Sequence, residues 1–240
     1  MIFFGFLITF LSNILIASDY SNFKNVTDRK AIEAFVKDLT SMTSSSILYS
    51  ARVLGIHGSS LGYKISYLTE PSNSNTVFEK KKAYNISFLQ GEMGLPFRID
   101  LFMRVGGKDG YNVIGGGVRY GLKKPVEKIY GFNSSFLVYS HMGLYRDFYL
   151  VSFGAQLAFS MKLSDSIIPF ISGGFDNVKF LINSHSQPLL EGEDIHNNVY
   201  KGNVGVRFKI DRLGRFNLVA AVETVSTGRN IVDTAAVMRF

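Results

Sequence analysis

The 240-residue chain predicts an all-β fold: a transmembrane antiparallel up-and-down β-barrel of about 10 strands, with a short N-terminal amphipathic helix. Three observations carry this expectation. From about residue 60 onward, apolar and polar side chains alternate with period 2. Most of the alternating segments reach the ~9–11 tilted residues that cross a bilayer, whereas strands of soluble sandwiches average ~5–6. The last residues are themselves a strand, with Val232, Thr234, Ala236, Met238 and Phe240 mostly apolar against Asp233 and Arg239, the split between a lipid face and a lumen face.

Composition agrees. The 23 Gly, 21 Phe and 12 Tyr beside only 5 Pro are the mixture that strands and tight turns use. No internal run stays apolar for the ~20 residues of a membrane helix, so any crossing is made by strands. With 0 Cys, disulfides, thiolate catalysis and Cys-ligated metals are excluded. The net charge of +7 is spread about one basic residue per strand, which does not make a nucleic-acid groove.

Residues 1–17 hold no charged side chain and read as a signal peptide, cleaved near Ala17 or Ser18. Residues 18–59 are a polar segment and a helix. Thr27 or Asp28 caps it, and Ile32, Phe35, Val36, Leu39 and Met42 recur at helical spacing opposite Lys30, Glu33, Lys37 and Asp38. The helix ends at serines 44–46. Its apolar stripe must be covered by the barrel lumen, the rim or the membrane surface, and the expectation is a packing element that closes one end of the barrel. Residues 51–58 could add a strand and move the count toward twelve.

The barrel itself occupies residues 60–240. Leu61, Tyr63, Ile65 and Tyr67 alternate with Gly62, Lys64 and Ser66; Tyr84, Ile86 and Phe88 alternate with Asn85 and Ser87. Phe97 to Val105 places Arg98, Asp100, Phe102 and Arg104 on one face. Further strands are expected over 111–122, 132–141, 148–162, 167–182, 198–210, 215–225 and 231–239. The long connections 69–83 and 183–197 then fall at one end and short turns at the other, as in bacterial barrels with an even strand number.

The signal-like start, the Gly- and aromatic-rich strands and the ending Asp233-Thr-Ala-Ala-Val-Met-Arg-Phe240 resemble bacterial outer-membrane β-barrel proteins with a C-terminal assembly signal. The resemblance covers residues 60–240 and points to no subfamily. Asp233, Met238 and Phe240 match the signal, while Ala235 stands where a Gly is frequent and Met238 where an aromatic is usual. It implies location in the bacterial outer membrane, contact with outer-membrane lipid and recognition by the barrel-assembly machinery.

The strand phases put Lys64, Arg98, Arg104, Arg119, Lys162, Lys201, Arg207, Lys209 and Arg239 inside, against Asp100, Glu223 and Asp233. Such a lumen favours small anionic solutes. In a narrow barrel the same residues can instead be a salt-bridged filling, because side chains occupy most of the interior. The expected role is therefore a small channel or structural barrel with a basic lumen. An alternative is surface binding or adhesion through loops 69–83 and 183–197. A remoter one is a lipid-modifying enzyme at His141, which reads as a solvated strand-end histidine; no catalytic, cofactor or metal motif is recognised. Oligomeric state is not legible.

Overall fold

The computed structural model describes residues 19–45, 49–80, 82–211 and 213–240. The expected signal peptide lies outside them. Ten strands follow in order: β1 (Ser59–Leu68), β2 (Tyr84–Leu95), β3 (Ile99–Lys108), β4 (Tyr111–Gly121), β5 (Phe132–Leu144), β6 (Phe148–Met161), β7 (Ile167–Ile182), β8 (Asp194–Lys209), β9 (Phe216–Val225) and β10 (Asn230–Arg239). Each pairs antiparallel with its sequence neighbours. β1 closes on β10 from Ser60↔Arg239 to Leu68↔Ile231, so the sheet is a closed barrel without free edges. Strand lengths of 10 to 16 residues match a transmembrane-type barrel.

The outward face carries Tyr63, Leu101, Met103, Phe153, Val204 and Leu218 in a continuous apolar belt. In β2 the periodicity holds but the faces are reversed from the usual apolar-outside rule: Tyr84, Ile86 and Phe88 are buried inside. The reason is what they cover. A helix, α1 (Arg29–Thr43), stands in the lumen, nearest β8, β1 and β2, and gives the inner wall an apolar partner.

Helix α1 begins where the side chain of Asp28 accepts a hydrogen bond from the Lys30 amide (2.9 Å). Its last turns are rich in hydroxyls that donate to carbonyls four residues back: Thr40 to Val36, Ser41 to Lys37, Thr43 to Leu39 and Ser44 to Thr40. These small polar residues can therefore sit in a closed interior without unmet donors.

The chain threads the barrel from end to end. Asp19 lies at the loop end, between Lys82 and Lys108 (3.0 and 3.1 Å). A 3₁₀ turn, Ser21–Asn25, leads to α1, and the chain leaves past Leu54, whose amide donates to Asp100 at the opposite end. Residues 51–58 form no strand; they are the exit of this thread, and the count stays at ten. Gly94 permits that exit, because a Cβ there would strike the backbone of Gly55. At the loop end β3 and β4 are joined by Asp109 and Gly110 alone, with φ of 52° and 84°, the two positive values that a tight primed hairpin turn requires.

Candidate functional site

The interior is the candidate site, and it is layered. At the loop end, Phe23, Ile32, Phe35, Val36 and Leu39 are fully buried against Phe148, Leu150, Val178, Phe180 and Val199. Phe35 alone meets the rings of Tyr20, Phe23, Phe78, Phe148 and Phe180 at 5.2–6.3 Å. The two long loops fold onto this segment. Asp38 accepts from the Ser72 amide and the Asn75 side chain, both at 2.8 Å, while His185 contacts the Phe23 carbonyl at 3.2 Å and Glu193 pairs with Arg29. Burial opposes ionisation of Asp19, but Lys82 and Lys108 outweigh it and hold its carboxyl below the ordinary 3.8.

Midway down, two lysines from different strands grip the end of α1, where the helix dipole and the last carbonyls attract cations. Lys201 donates to the Ser44 carbonyl (2.6 Å) and pairs with Asp176 (2.9 Å), which also accepts from the Ser44 hydroxyl (2.7 Å). Lys64 donates to the Ser45 carbonyl (2.6 Å) and pairs with Asp233 (3.1 Å). Glu223, also fully buried, faces the same layer.

Below them, Arg104 donates to the carbonyls of Thr43 and Ser45 (3.3 and 3.2 Å) and to Gln90 (2.9 Å), and lies over the Phe88 ring. Gln90 donates to Glu92 (2.8 Å), Glu92 pairs with Arg119 (3.0 Å), and Arg119 holds Asp100 and the Ser50 carbonyl. Asp100 in turn receives the Leu54 amide, so one hydrogen-bonded chain runs from the helix end to the exit. This arrangement binds a polypeptide along its carbonyls; its cations face paired acids and backbone, not an open path.

Of the residues expected to line the lumen, Lys64, Asp100, Arg104, Arg119, Lys201, Arg207 and Glu223 are buried within the barrel. Arg98 is not inside. It lies in the Pro96–Arg98 turn with φ of 64°, and its guanidinium donates to the hydroxyl of the outward-facing Tyr120 (2.8 Å). The turn begins at Pro96, so the period that would carry β3 back to Arg98 is broken there. His141 is likewise not solvated: it points inward on β5, 1% exposed, over Tyr139. Of the assembly-signal residues, Asp233 faces Lys64, and Met238 and Phe240 stand at the turn end. Sequence reading missed Glu92, Asp176 and Arg52. Their signal was weak, because each gains meaning only from a partner far along the chain.

No protein-family model and no curated protein sequence matches the chain. Solved structures that it resembles include the N-terminal β-barrel domain of OprF from Pseudomonas aeruginosa (7% identity, TM-score 0.37, 78% of this chain and 99% of that one). The KdgM porin matches at 10% identity and TM-score 0.40, over 75% of this chain and 99% of that one. Ail, the attachment invasion locus protein of Yersinia pestis, matches at 14% and 0.31, over 77% and 99%. These likenesses concern barrel architecture alone.

Proposed function

We propose that the protein is a sealed barrel of the bacterial outer membrane, structural rather than conducting, whose lumen is filled by its own N-terminal segment. The observation that carries this reading is the threaded segment: Phe23, Ile32, Phe35, Val36 and Leu39 are fully buried in the loop-end half, and Thr43, Ser44, Ser45, Ser50 and Leu54 are bound to Arg104, Lys201, Lys64, Arg119 and Asp100 in the rest. The apolar belt and closed sheet fit outer-membrane lipid as solvent, and the ending through Asp233, Met238 and Phe240 fits delivery by the barrel-assembly machinery. The basic interior is used to hold the segment, which leaves passage of small anions without a route.

Planar-bilayer recording of the purified protein tests this. The intact chain gives no steady conductance, whereas a chain lacking residues 19–56 conducts and prefers anions. Steady conductance of the intact chain, abolished by charge reversal at Arg104 and Arg119, would establish the channel instead. A second reading, surface binding through loops 69–83 and 183–197, is favoured by one observation: both loops are pinned to the buried segment, yet Leu189 is left 93% exposed at a tip.

A further inference from the structure

Where the thread leaves the barrel, an open cavity of about 610 Å³ lies at the turn end, lined by Arg52, Lys209, Arg215 and Arg239. A smaller recess shares Arg52 and Lys209 with it and is walled by Arg207. Arg207 is 1% exposed, its Nε and Nη1 have no hydrogen-bond partner, and it forms no ion pair among the described residues. The charges that act on it most are Arg239, Arg52 and Arg119, all of its own sign. Glu92, the acidic group within reach, is already held by Arg119. Arg239 adds a second Nε without a partner.

Among the acids at this mouth, Glu127 also lines the cavity, and each has a partner other than Arg207 or Arg239. Glu127 pairs with Arg52, Asp165 with Lys162 (2.6 Å), and Asp211 accepts from the Phe216 amide (2.8 Å). Phe240, exposed at the rim, makes no ion pair with the cluster among the described residues. A buried guanidinium without a counter-charge is strongly unfavourable unless an anion or water completes it. The two other arginines buried among the described residues are satisfied by the protein, Arg104 through Gln90 and backbone carbonyls and Arg119 through Asp100 and Glu92. Arg239 lines the cavity and Arg207 the recess, which meet at the shared Arg52 and Lys209; guanidinium groups placed in this way match the oxygens of a phosphate.

We infer that this vestibule binds a phosphate-type oxyanion between Arg207, Arg239 and Lys209. Its rim carries Leu213, Phe216 and Phe240, exposed and apolar. An anionic phospholipid can therefore place its headgroup in the vestibule while its chains stay on the outer wall; a free phosphate ion is the other source of the same chemistry. Only the lipid source depends on the membrane reading above.

The test measures the unfolding midpoint of the full chain by heat-modifiable gel mobility. One arm titrates inorganic phosphate at constant ionic strength in neutral detergent. The other compares nanodiscs of phosphatidylglycerol with phosphatidylcholine. Saturating ligand raises the midpoint by ~5–10 °C. A rise with phosphate alone assigns a free ion, and a rise with phosphatidylglycerol assigns the headgroup. In both cases the double variant Arg207→Gln, Arg239→Gln loses the rise, while Lys80→Gln at the loop end keeps it. Because Arg207 has no partner to lose, the ligand-free midpoint of the double variant stays at or above that of the parent. No rise in either arm, an equal rise in the double variant, or a marked fall in its ligand-free midpoint would overturn the proposal.

Discussion

The Lys201–Asp176 pair makes a quantitative demand. Both side chains are fully buried, 2.9 Å apart, and both bind Ser44 at the end of α1. Lys201→Met leaves a buried carboxylate whose remaining donor is the Ser44 hydroxyl, and strands the Ser44 carbonyl. Removal of one member of a buried pair destabilises by about 3–5 kcal/mol. Asp176→Asn leaves the ammonium facing the Ser44 oxygens and the Tyr139 ring, with a loss of similar size. The double variant has no isolated charge; what it lacks are hydrogen bonds to Ser44, about 1–3 kcal/mol. The cycle is therefore strongly non-additive, with the double variant more stable than either single one. Urea unfolding in detergent micelles, followed by circular dichroism, reads the midpoints at constant slope. Single variants within about 0.5 kcal/mol of the parent, or losses that simply add, would refute the clamp on the helix end.

Other predictions follow from the same contacts. Phe35→Ala removes the ring at the centre of the aromatic cluster and destabilises the barrel by about 3–5 kcal/mol in the same assay; an effect below about 1 kcal/mol would mean that α1 does not pack there. Asp38→Ala strands two donors of loop 69–83, so trypsin cleaves at Lys80 or Lys82 in the variant while the parent resists. The carboxyl of Asp19 is held below 3.8, so its tether to Lys82 and Lys108 is fully present above that pH and is lost as pH falls through the lowered value. Pepsin cleavage near Tyr20 and Phe23 rises in that acid range for the parent. Asp19→Asn abolishes the pH step, and an unchanged step would exclude Asp19 as its source.

The barrel was largely legible because an apolar outer belt around a largely polar interior imposes a period of 2 that neither β6 nor β9 escapes. Legibility failed where the inner wall meets another apolar element. Tyr84, Ile86 and Phe88 carry the right alternation on the opposite face, since α1 covers them. The stripe of α1 showed that something covers it but not what, because an amphipathic helix packs equally against a wall, a rim or a lipid surface. Residues 51–58 left a further strand open because an extended thread, with Ala51 and Val53 buried and Leu54 bound to Asp100, alternates in the same way. The charge excess inside was visible; its pairing was not. Arg119 finds Glu92 across 27 positions, and Lys201 finds Ser44 across 157, distances at which no local pattern speaks.

The filled lumen can be tested by one labelling measurement, since the chain has 0 Cys. Leu39→Cys places a thiol on the fully buried stripe of α1, and Leu189→Cys places one at the exposed loop tip. With a membrane-impermeant maleimide on the folded protein, Cys at position 189 reacts at once, and Cys at position 39 reacts only as the barrel unfolds. Equal labelling of both in the folded state would mean that the N-terminal segment lies outside the barrel or in an open, water-filled lumen, and the sealed-barrel account would be wrong.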